Sequence, residues 1–84
     1  MVEMQNTGDP RARNEIVAMI EHVLTDKPGD WRISITGSRG NDDWEMKIEG
    51  PNGFERSYTL IGGAGEHQPM AIRALLLKLL PSNS

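Results

Sequence analysis

Chemistry in this chain begins with Glu66-His67, which follows Gly62-Gly63-Ala64-Gly65 and precedes Pro69, a residue suited to the first turn of a helix. Free N–H groups at a helix start and the helix dipole can hold an anion, and a histidine titrates near neutral pH. Gly65, Glu66 and His67 are therefore candidate anion or nucleic-acid contacts. The competing reading is a simple N-terminal cap on an exposed turn. That reading is favoured, because a phosphate cradle needs a lysine and a longer glycine pattern.

Other reactive groups are scattered. Asp42-Asp43 could form half of a carboxylate site, yet acid–base catalysis requires a second group at a defined separation and a cleft that raises one pKa. Ser34, Ser38 and Ser57 lack the glycine-framed elbow of a serine nucleophile, and neither histidine can be assigned as their base. His22 has Glu15 and Glu21 nearby, but two histidines on different helices make no metal motif. The expectation is a protein that is not an enzyme and uses no metal and no cofactor.

A second kind of candidate is a contact surface. After Pro69, Ile72, Leu75, Leu76, Leu79 and Leu80 form one helical stripe, which leaves Met70 and Leu77 to the side near Arg73. Exposed apolar side chains at helical spacing can serve as protein contacts, where methionine adapts and arginine is enriched. Met70, Arg73 and Leu77 are the protein-contact candidates. The alternative is that Met70 and Leu77 pack on a loop or on the first helix.

The elements that position these groups follow from periodicity. Trp44-Glu45-Met46-Lys47-Ile48-Glu49 alternates apolar and charged residues, the pattern of a strand with one dry face. Phe54 to Ile61 repeats it with Phe54, Tyr58 and Leu60 on one side; Arg56 interrupts it, with a stem that can lie on apolar surface while its head reaches water. Gly50-Pro51-Asn52-Gly53 between them predicts a hairpin turn. Trp31, Ile33 and Ile35 mark another strand, and Gly37 to Asp43 a polar loop that includes Arg39. Asp9-Pro10 opens the first helix, whose stripe is Ile16, Met19, Ile20, Val23 and Leu24, and which ends near Asp26. The outer sheet face, with charges of both signs, should simply meet water.

The predicted fold is therefore α+β, a two-layer sandwich in α-β-β-β-α order, with a three-stranded antiparallel sheet and both helices on one face. Residues 9–80 form the single domain, with 1–8 a disordered N-terminal tail and 81–84 a C-terminal tail. A chain of 84 residues has room for one core. With 37% hydrophobic and 25% charged residues, it has the composition of a globular domain.

A net charge of −3 counts against broad attraction to nucleic acid or to an anionic membrane. The absence of cysteine removes disulfides, thiolate metal sites and a cysteine nucleophile. Met1 to Gly8 lacks the basic start and apolar run of a signal peptide, and the apolar run Ala74 to Leu77 is far too short to cross a bilayer. A cytoplasmic protein without membrane contact is the default expectation.

Trp31 and Trp44 on the first two predicted strands, Gly63-Ala64-Gly65 before the second helix, and Ala71, Ala74 and the leucines of that helix resemble the double-stranded RNA-binding domain over residues 10–80. The resemblance implies the helix, meander, helix fold and a contact to duplex RNA. The binding signature departs from the family: His67, Gln68, Pro69 and Met70 stand where it has paired lysines, and Gly37-Ser38-Arg39-Gly40 stands where it has Gly-Pro-x-His. Contacts that had moved would fall on Arg39, Arg73 and Lys78. The function expected first is thus a small binding domain acting through protein contacts, self-association included; the alternative is a nucleic-acid-binding domain with a degenerate phosphate signature.

Overall fold

The computed structural model describes residues 1–38 and 40–80. Its elements are β1 (Val2–Gln5), α1 (Pro10–Thr25), β2 (Arg32–Gly37), β3 (Asp43–Glu49), β4 (Glu55–Ile61) and α2 (Pro69–Leu79), joined in one sheet of order β1-β2-β3-β4. The α+β class is as predicted. The sheet is not: it has four strands and is mixed, with β1 parallel to β2 and the remaining pairs antiparallel.

Residues 2–5, expected in a disordered tail, supply the additional strand. Val2 pairs with Ile33 and Met4 with Ile35, and both are half-buried against the core while Glu3 and Gln5 face water. The segment is too short for its alternation to stand out, and its partner lies beyond a whole helix. The β1-α1-β2 connection is a βαβ unit, for which a helical crossover is the usual solution. The C-terminal tail expected at 81–84 lies outside the described residues.

Local chemistry explains the helix ends. Asp9 caps α1 by accepting from the Arg11 N–H at 2.9 Å, and Pro10 occupies a first-turn position where its missing donor costs nothing. Gln68 precedes Pro69 at the start of α2 with no side-chain capping bond. At the hairpin, Asn52 and Gly53 both take positive φ (60° and 78°), conformations that asparagine tolerates and glycine adopts freely.

One core joins the layers: Ile16, Ile20 and Leu24 from α1, Ile72 and Leu76 from α2 with Leu80 just beyond it, and Trp31, Ile33, Ile35, Met46, Ile48 and Leu60 from the sheet side. Both helices therefore cover the same face. Met19, Val23, Trp44, Phe54, Tyr58, Leu75 and Leu79 complete its border, each at a position assigned to the apolar stripes from sequence.

Two tryptophans anchor opposite ends of this face. Trp31 donates its indole N–H to the Pro28 carbonyl at 3.0 Å and meets the Phe54 ring edge-on at 5.2 Å between centroids. Gly50 lies so close that an added Cβ would sit 2.5 Å from the Trp31 ring, so glycine is required there by packing. Trp44 stands at the far end.

Candidate functional site

The Glu66-His67 pair is not a cap on α2; it is a fastener on β4. After β4 the chain makes a short 3-10 turn at Gly62–Ala64, and Gly65 (φ 76°) reverses it, which brings Glu66 back beside Ile61. One Glu66 carboxylate oxygen accepts from the Ile61 N–H at 2.8 Å, and the other accepts from the Tyr58 hydroxyl at 3.0 Å. The Glu66 N–H donates to the Ile61 carbonyl at 3.2 Å. Glu66 thus satisfies the main chain at the end of β4 much as another strand would.

His67 completes the fastening. Its ring stacks on Trp44 with 3.7 Å between centroids and 10° between planes, and Nε2 lies 3.1 Å from the Leu60 carbonyl, which accepts when that nitrogen carries the proton. The Glu66 carboxylate beside the Tyr58 hydroxyl holds the phenol pKa above its ordinary value of about 10, first by accepting its hydrogen bond and then by charge repulsion with the phenolate. Both side chains that could have met an anion are engaged with their own chain. The sequence showed them adjacent to a helix start, but only the reversal at Gly65 aims them at β4.

The α2 candidates lie on the exposed side of the helix. Met70 is 73% exposed and Leu77 51% exposed, while Ile72 and Leu76 are fully buried. Arg73, Ala74 and Lys78 are exposed along the same outer surface. Between α1 and α2 runs a groove of about 290 Å³ lined by His22, Val23, Asp26, Lys27, Arg73 and Leu77. The groove joins His22 to Arg73 and Leu77, a connection no sequence spacing displays, because it depends on how the helices lie side by side. Arg39 lies outside the described residues.

The other polar candidates do not converge. Asp42 is an exposed loop residue whose carbonyl accepts from Gly62, and Asp43 begins β3 with its N–H donating to Asn41 Oδ1 at 3.0 Å. Ser34 and Ser57 lie on the outer sheet face, each in register with Lys47. A wider cleft of about 640 Å³ opens at the Trp31 end, where Glu21, Asp30, Arg32 and Glu49 bring opposite charges to its rim. Among the described residues, no three His, Asp or Glu side chains group as a bound metal would require.

No family model, curated protein or solved structure matches the chain. No helix among the described residues is long and apolar enough to cross a membrane.

Proposed function

We propose that this protein works by binding another protein through the outer face of α2, without catalysis. The observation that carries the reading is the exposure of Met70 and Leu77 on one flank of a helix whose other large apolar side chains are buried or half-buried. Water-exposed apolar side chains of this size gain free energy when covered, and Leu77 also borders the groove between the helices. The charge of α2 selects the partner's chemistry. Its charged residues are Arg73 and Lys78, with no acidic side chain on the helix, so the surface fits an apolar patch bordered by carboxylates.

A photo-crosslinker in place of Ala74, exposed between Met70 and Leu77, should trap such a protein, and the affinity of the purified partner can then be measured. Met70→Glu with Leu77→Glu should weaken binding by about a hundredfold, the effect of burying like charges among apolar groups. An affinity unchanged by the double variant would refute the α2 surface. Crosslinking to duplex RNA, with affinity falling steeply as salt rises, would replace it with the nucleic-acid reading through Arg73 and Lys78.

A further inference from the structure

β4 is one of the two edges of the sheet, and its alternation assigns which of its groups face outward. The Phe54 carbonyl accepts from Gly50 on the β3 side, whereas the Ile61 N–H points away and is met by Glu66. Backbone direction alternates along a strand, so Arg56, Tyr58 and Leu60 bond to β3 while Glu55, Ser57 and Thr59 turn their N–H and C=O groups outward. Beyond Thr59 the edge is closed by Glu66. Before it, the edge is open except at the Glu55 carbonyl, which the Arg56 guanidinium occupies and must yield to a pairing strand.

Edge strands are usually guarded by proline, bulges, brevity or inward-pointing charge. The run Glu55-Arg56-Ser57-Tyr58-Thr59 contains no proline or glycine, and its register with β3 is unbroken from Glu55 to Ile61. Its one guard is Arg56, which lies opposite Ile48 on the helix-covered face. Arg56 reaches out over the Phe54 ring, 4.9 Å from the centroid, and donates to the neighbouring Glu55 carbonyl at 2.9 Å. That guard suits one particular neighbour.

We propose that β4 pairs antiparallel with β4 of a second copy about a two-fold axis at Ser57, joining two sheets into one. In this register Ser57 faces its own copy, Glu55 faces Thr59, and Arg56 faces Tyr58 of the second copy. Facing side chains in such a non-hydrogen-bonded pair have Cβ atoms about 5 Å apart. Arg56 of each copy then meets the Tyr58 ring and the Glu66 carboxylate that already holds the Tyr58 hydroxyl. The symmetry makes both pairings at once. A slip that centres the axis on Arg56 sets two guanidinium groups against each other, so charge selects the Ser57 register. The contact uses none of the α2 surface and leaves both α2 faces available.

Sedimentation of the full chain from micromolar to millimolar concentration tests the pairing. A reversible dimer is expected, with slowed amide exchange at Glu55, Ser57 and Thr59 as it forms. Ser57→Pro removes an outward donor without touching a β3 bond, and should raise the dissociation constant about tenfold or more. Arg56→Glu, on an exposed side chain, should do the same through charge, and it decides the matter if the proline variant does not fold. Met70→Glu with Leu77→Glu should leave the dimer intact. A monomer at every concentration, a dimer indifferent to both β4 variants, or one lost only with the α2 variant would overturn the proposal.

Discussion

The two edges of the sheet are built on different principles. β4 follows β3 through a short turn, so its pairing closes a small loop and its register is set by the hairpin itself. β1 pairs in parallel with a strand that starts only after all of α1, so its partners are separated in the chain by a whole helical crossover. The ends are sealed differently too. Glu66 and His67 fasten β4 with side chains, whereas β1 is held by the Met1 nitrogen donating to the Trp31 carbonyl at 2.8 Å, by the Met1 carbonyl accepting from Ile33, and by Val2 and Met4 on the core. A local edge can be read and can be tuned locally; a non-local edge depends on the whole fold.

The largest effect should come from Gly37→Ala. An added Cβ would run into the Asn6 carbonyl oxygen, backbone that must move, so the exit of β1 would be forced off β2. A loss of about 3 kcal/mol or more in urea unfolding is expected, with amide protection lost in β1 and kept in the β3–β4 hairpin. Protection surviving in β1 would show that the two edges are equally robust.

Phe54→Ala should cost about 2 kcal/mol, because it removes the edge-on contact to Trp31 and the ring beneath Arg56. The loss belongs to the hairpin end, so exchange should rise in β4 before β1. Equal loosening of both strands would mean that the tryptophan end couples them.

The Glu66 fastening has a spectroscopic handle, because Tyr58 is the single tyrosine. Its folded-state pKa is raised, chiefly by the hydrogen bond to Glu66, so the native state favours the neutral phenol. That contribution is fully present below the unfolded value of about 10 and is lost as pH rises through the higher folded value. Phenolate absorbance should therefore appear later in the native protein than in urea. Glu66→Gln should bring the native titration down towards the unfolded one; an unmoved titration would separate Glu66 from the tyrosine.

Smallest of all, Lys47→Ala should change stability by no more than about 0.5 kcal/mol. The Lys47–Glu55 pair is 3.8 Å apart, with both side chains at least half exposed, and solvent screens it. A larger loss in thermal unfolding would mean that the outer sheet face contributes more to holding β4 than its fastened end suggests.

Much of the local structure was legible because it is stated residue by residue. The Trp44-to-Glu49 alternation, the turn at residues 50–53, Asp9-Pro10 and the leucine spacing of α2 each carry their conformation in a few neighbours, and the exposure of Met70 and Leu77 follows from the same wheel. The candidate site was less legible. Glu66-His67 was marked as chemically distinctive, but its fastening role requires Tyr58, Trp44 and Ile61 to be brought to it by the reversal at Gly65.

What the sequence determined by itself is the set of apolar faces, since strand and helix periods decide which side chains seek the core before any partner is known. Only the tertiary structure decided that Val2 to Gln5 is a strand, that His22 borders Arg73 and Leu77, and that β4 ends the sheet. The reason is physical: these are relations between segments far apart in the chain, formed when burial of the common core brings them together.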